Sequence, residues 1–331
     1  LGNNQEKYVE MIFSQPRYPE LKKGPFILIA LLVLPLQAEI VAKPEGKNVR
    51  VEIDGKLFTE YRSDTHVPCL YPLMSPAGTH LTRRFPFEKG VAGEQADHPH
   101  HIGVWFAHGS VNGADFWHGK DGSKVVTKDF ARKPKVKKGE DVLGFAVDLE
   151  WIKGDGTRVL SEQRHFEIRK IGKTRIIDTV CELKATDGDV VFGSTKEGSF
   201  AIRVAPTLRL KGEVAKGHIL NSEGLKDGAA WGKRAKWVAF HGPDSEGTPT
   251  VVALLDHPEN LRHPTWWHAR DYGLLAANPF GAKDFKDKTF KGDGSFILKK
   301  GESLTQRYRL ILHQGDLESA RVEASWQEFS N

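Results

Sequence analysis

The chain has 331 residues, 39% of them hydrophobic and 27% charged, with a formal net charge of +5. That balance excludes a disordered or fibrous chain, and the length suits one large domain. Basic and acidic residues alternate along most of the sequence, with no nucleic-acid motif and no sustained basic face, so no nucleic-acid partner is expected.

Residues 21–40, LKKGPFILIALLVLPLQAEI, place Lys22 and Lys23 before an apolar run over 26–36, then Ala38 at a small-residue cleavage point. This is the order of a secretory signal, and the run is shorter than the roughly 20 apolar residues of a comfortable membrane span. The reading assigns 1–38 to a signal peptide with upstream residues, Met11 to the start, and 39–331 to a single domain. The mature protein is expected in the periplasm or outside the cell, free of the membrane. Cys69 and Cys181 are the two cysteines, and no C-x-x-C pair is present. A thiolate metal site is therefore not expected.

From Asn48 onward the pattern is strand and turn. VRVEIDGKLFTEYR reads as a hairpin about Asp54-Gly55. The basic run at 128–141, KDFARKPKVKKGED, reads as a solvated loop. Residues 142–183 read as three strands, the first with Phe145, Val147, Leu149 and Trp151 on one face. Further strands follow in GSFAIRVAPTLRL, PTVVALLDHP, PTWWHARDYGLLAANPF and ESLTQRYRLILHQ. A helical period is clear only in DLESARVEASWQEFS at the end. Many strands without alternating helices imply an all-β fold, a large antiparallel β-sandwich with a short C-terminal helix.

The densest chemistry lies at 97–117, DHPHHIGVWFAHGSVNGADFW. Strand parity puts Ile102, Val104 and Phe106 on a core face and His101, Gly103, Trp105 and Ala107 on the other. His108 stands at the strand end. In KEGSFAIRVAP, Glu197, Ser199, Ala201 and Arg203 oppose the apolar Phe200, Ile202 and Val204. In HPTWWHARDYG, Trp266, His268 and Arg270 oppose Trp267, Ala269 and Asp271. If the polar faces converge, they form one site. Glu197 is the candidate base and His101 or His268 the acid, because imidazole titrates near working pH. Arg203, Arg270, Asn278, His263 and His108 are candidate hydrogen-bonding residues for substrate, and Trp105 and Trp266 candidate platforms for a sugar ring. No cofactor is expected. The alternative is a divalent transition metal on His98 and His100, completed by Asp97, His108 or His268, although the spacing matches no familiar metal motif. A non-catalytic carbohydrate-binding domain is the third reading.

The motifs HHIGVWFAHGSVNGADFW, KEGSFAIRVAP and DHPENLRHPTWWHARDYGLLAANPFG resemble the PmoA-like family, a domain of unknown function often labelled "methane oxygenase". The resemblance spans most of 48–315. It implies an exported bacterial protein and a supersandwich similar to the galactose mutarotase type. The family supplies no agreed catalytic residues, so the site positions rest on parity and chemistry. The function expected is acid/base chemistry on a sugar, of the mutarotase, epimerase, lyase or hydrolase type.

Overall fold

A computed structural model describes residues 40–137 and 140–331. The signal-peptide reading and its boundary at Ala38 fall outside these residues. Among the described residues no helix is long and apolar enough to cross a membrane.

The described chain is all-β, as the alternation predicts. Its strands are β1 (Ile40–Glu45), β2 (Asn48–Ile53), β3 (Lys56–Arg62), β4 (Cys69–Leu73), β5 (Val104–His108), β6 (Lys124–Val136), β7 (Val142–Ile152), β8 (Arg158–Ile171), β9 (Thr174–Lys184), β10 (Val190–Phe192), β11 (Gly198–Arg203), β12 (His218–Asn221), β13 (Trp237–Pro243), β14 (Pro249–Asp256), β15 (Trp266–Trp267), β16 (Leu274–Asn278), β17 (Phe296–Leu298) and β18 (Ser303–Gln314). Two short helices, α1 (Leu317–Ala320) and α2 (Val322–Phe329), close the chain. The first large sheet has the order β1-β2-β3-β4-β5-β11-β16-β15, and the second β12-β13-β14-β18-β9-β8-β7-β6. Among the described residues every strand pairing within them is antiparallel.

The two sheets pack face to face. Phe200 of β11 stacks on Tyr308 of β18, ring centroids 4.7 Å apart. Phe106 of β5 meets Trp151 of β7 edge-on at 5.9 Å, and Tyr61 of β3 packs against both Phe145 and Phe166. Phe106, Phe145, Trp151 and Phe200 are residues that alternation assigns to the core. A buried Arg164–Glu162 pair crosses the same layer, with Arg164 Nη2 donating to the carbonyl of Phe106.

The basic run departs from expectation. Residues 128–136 are not a loop but most of β6, the edge of the second sheet. An edge strand exposed on both faces needs no apolar alternation. Its lysines, Pro134 and three shifts of register against β7 suit an edge that must not pair with another chain.

Candidate functional site

The odd-numbered residues of β5 and β11 and the even-numbered residues of β15 and β16 point away from the second sheet, by the alternation that buries Phe106 and Phe200. Register aligns them in rows. Trp105 pairs with Ala201, and Ala201 with Ala276. Beyond the two-residue β15 the backbone pairing continues, with His268 and Ala276 exchanging N–H···O bonds of 2.8 and 3.2 Å. One row is therefore Trp105, Ala201, Ala276, His268. The next is Gly103, Arg203, Leu274, Arg270. Ala107 faces Ser199 on the other side. The middle of this face is a floor of small side chains flanked by aromatic, imidazole and guanidinium groups. Gly103 admits no side chain, since a Cβ there would run into the carbonyl of Leu70, and its φ is +66°.

Loops roof this face. The loop before β5 brings Asp97, which accepts from Arg83 Nη1 at 2.5 Å and Arg203 Nη2 at 3.0 Å. Arg203 Nη1 lies 3.0 Å from His101 Nδ1. The His101 ring stacks on Trp105 at 5.4 Å and on His98 at 4.8 Å. Tyr272, in the turn between β15 and β16, covers Arg203 with its ring, 4.5 Å from the guanidinium carbon, and Arg270 reaches it at 5.3 Å. His268 Nδ1 lies 3.0 Å from the carbonyl of Lys196, and its ring meets Phe285 at 5.9 Å. Glu197 is half-buried beside Lys196, its carboxylate 3.0 Å from Lys196 Nζ.

Burial sets the charges. It pushes the His268 pKa down to about 4, against the opposing pull of Glu197. It pushes His100 down to about 3, helped by His118 and His98. His101 is lowered further, by burial and then by His100 and Arg203. All three imidazoles are neutral at neutral pH, so a histidine held as a cationic acid does not fit this site. Burial and then Arg83 lower Arg203 to about 9, which leaves it charged. Burial works against the Asp97 carboxylate, yet Arg203, His98 and Arg83 hold its pKa below the usual value. Burial raises Tyr272 to about 12 despite the two arginines.

Five buried polar atoms on or against this face have no partner among the described residues: His101 Nε2, Trp105 Nε1, Ser199 Oγ, Arg203 Nε and His268 Nε2. His100 Nε2 and Trp117 Nε1, in the adjoining loops, share that state.

Several residues singled out in the sequence lie elsewhere or are engaged. His108 has the parity of the core face. It lies 2.8 Å from the Gly193 carbonyl through Nε2 and packs against Phe280 and Phe192. His263 is held by Asp256 at 2.7 Å and stacks on Trp326 of α2, so it is apart from the group. Trp266 has the parity of His268, but Phe290 and Arg234 cover its ring and Asp287 takes its indole N–H. It offers no free platform. Asn278 is spent on the Thr195 carbonyl and the Phe280 amide. Trp267 belongs to the core and donates to the Ala235 carbonyl. The rings of His98 and His100 are 5.8 Å apart at 70°, and among the described residues no three His, Cys, Asp or Glu side chains are grouped to hold a metal ion.

Sequence reasoning missed Tyr272 and Arg83. Tyr272 continues the parity of His268 and Arg270 into the turn, so the signal was present. Arg83 enters from a loop with no such pattern.

No curated protein matches the chain. Solved structures that match include the galactosidase domain of an α-galactosidase–sucrose kinase, AgaSK, at 12% identity and a TM-score of 0.45, covering 85% of this chain and 42% of that one. Two α-galactosidases of Geobacillus stearothermophilus also match. AgaB is 9% identical with a TM-score of 0.41, over 85% of this chain and 42% of its own. AgaA is 10% identical with a TM-score of 0.38, over 84% and 41%. The chain thus spans less than half the length of each. A family model described as "Family of unknown function (DUF6807)" matches residues 48–327, and the chain belongs to that family.

Proposed function

We propose that this chain is an exported, carbohydrate-active protein whose site performs acid/base chemistry on a sugar. The observation that carries the reading is the set of unpartnered polar atoms above the alanine floor. A buried donor or acceptor left unpaired costs about 1–3 kcal/mol, so five together call for an outside partner with several oxygen atoms. A sugar has that character. His101, Trp105 and Arg203 would donate to its hydroxyl or carbonyl oxygens, His268 and Glu197 would accept, and Tyr272 would offer an aromatic wall. Glu197 is the residue best placed to exchange a proton with solvent, being the half-exposed carboxylate next to His268. The PmoA-like resemblance of the three motifs, with its export signal, belongs to the same reading.

The test is Glu197→Gln, which keeps the shape and removes the carboxylate that exchanges protons with solvent. Turnover of a responsive glycoside should be abolished while binding, measured by calorimetry, stays within a few-fold of wild type. Equal losses of rate and affinity would favour a carbohydrate-binding role without catalysis.

A further inference from the structure

The same residues permit a sharper statement about substrate, which rests on the reading just given. His101 and His268 are held in opposite tautomers. The guanidinium of Arg203 only donates, so His101 Nδ1, 3.0 Å away, accepts, and the ring proton sits on Nε2. The Lys196 carbonyl only accepts, so His268 Nδ1, 3.0 Å away, carries the proton, and Nε2 keeps its lone pair. The two side chains belong to residues 1% and 2% exposed, and both Nε2 atoms lack a partner among the described residues. The Trp105 indole, stacked on His101 at 5.4 Å, adds a second buried N–H without a partner. One end of the group therefore presents two N–H donors and the other a base. Trp105 lies on β5 and His268 directly follows β15, still paired with Ala276 of β16, so the two lie three strand spacings apart, roughly 14 Å between Cα atoms. Both side chains rise from the same face over the alanine floor.

Hydrolysing a glycoside requires an acid that surrenders its proton to the leaving oxygen. A neutral imidazole N–H does this poorly, because the anion it leaves is too basic. It serves instead to stabilise negative charge growing on an oxygen, beside a base that takes a proton from carbon. We propose that the site acts on a sugar bearing a ring ketone or an aldehyde, with His268 removing the proton next to the carbonyl while His101 and Trp105 hydrogen-bond the carbonyl oxygen. In that step the C–H bond breaks and the proton passes to His268 Nε2. The C–H electron pair becomes the C=C bond, and the C=O π pair moves onto oxygen, giving an enolate. Return of the proton to either face of the carbon restores the carbonyl, so no oxidant or reductant enters. Asp97 and Arg203 are positioning residues here, since Asp97 fixes the guanidinium that fixes the His101 tautomer.

The experiment is proton exchange in D2O, followed by NMR with the full chain. The probes are methyl hexopyranosides oxidised to the ketone at one ring position, C2, C3 or C4, beside their unoxidised parents. At least one ketone should lose the signal of its neighbouring C–H at least tenfold faster than the buffer blank, and the parents should keep theirs. His268→Gln should return this exchange to the rate of the buffer blank while line broadening still reports binding. In wild type the exchange should fall as pH drops through about 4, where His268 gains its second proton, a readout independent of how the variant folds. Binding of a ketone or a parent without exchange overturns this inference and leaves the sugar reading standing. Exchange undiminished in His268→Gln also overturns it. Failure of every probe to bind removes the inference and the sugar reading together.

Discussion

Lowering the pH from 7 to 5 should destabilise the protein through His108, by an amount the structure permits us to work out. The His108 ring is enclosed by Phe192, Phe280 and Gly198. Its Nε2–H donates to the Gly193 carbonyl, while Nδ1 is buried with no acceptor beside it. A Cβ on Gly198 would run into that Nδ1, so a second ring proton has neither room nor partner. Burial accordingly pushes the pKa down from 6.5 to about 4. The unfolded chain binds the proton below about 6.5 and the folded one only below about 4, so stability is complete above 6.5 and is lost as pH falls toward 4. At pH 5 the two titration curves differ by about 2 kcal/mol, rising to about 3 kcal/mol below pH 4. His108→Gln preserves a donor for Gly193 and cannot titrate. Urea unfolding at pH 7 and pH 5 should show the wild type losing about 2 kcal/mol more than the variant over that interval. Parallel losses in the two proteins would refute the argument, because the proton would then be entering elsewhere.

Arg203→Lys keeps the charge but cannot bridge Asp97 and His101 at once. We expect turnover to fall at least tenfold with the fold intact by circular dichroism, and unchanged turnover would show that the bridge does not matter. Elemental analysis of purified protein should find less than about one equivalent of zinc or iron, since the His98-Pro-His100 spacing lacks a familiar ligand geometry. Stoichiometric metal lost in a His98→Ala, His100→Ala variant would reverse that ranking. Protein recovered from the medium or periplasm should begin near Glu39, by N-terminal sequencing, and full-length chain in the cytoplasm would oppose the export reading.

Much of the sandwich was legible because a one-sided sheet writes its burial at period two. Phe145, Val147, Leu149 and Trp151 announce a core face without help from the rest of the chain. The run at 128–136 was not legible for the complementary reason: an edge strand with both faces exposed carries no such alternation, and its lysines and proline imitate a loop. Parity also ordered the site. It gave Trp105, Ala201, Arg203, His268 and Arg270 one side, and the register then aligned them. What parity lacks is the identity of the neighbour above the sheet. Trp266 has the right face but is covered by Phe290, from a segment rich in lysine, aspartate and glycine that reads as solvent-facing. His108 is claimed by Gly193, 85 residues away, and His263 by Asp256. Asp97 looked like a metal ligand, whereas two arginines distant in sequence take it.

The contrast between the two faces of the first sheet bears most on function. Toward the second sheet it presents Phe106, Phe200, Ile202 and Leu275, which fill the layer between them. On the other face, at adjoining positions, it presents Ala107, Ser199, Ala201 and Ala276. If that second face had only to be covered, large apolar side chains would bury more surface, at roughly 25 cal/mol for each Å² removed from water. Instead it combines small side chains with five buried polar atoms that have no partner among the described residues. A ligand whose polar groups reached these atoms over the alanine floor would offset their cost.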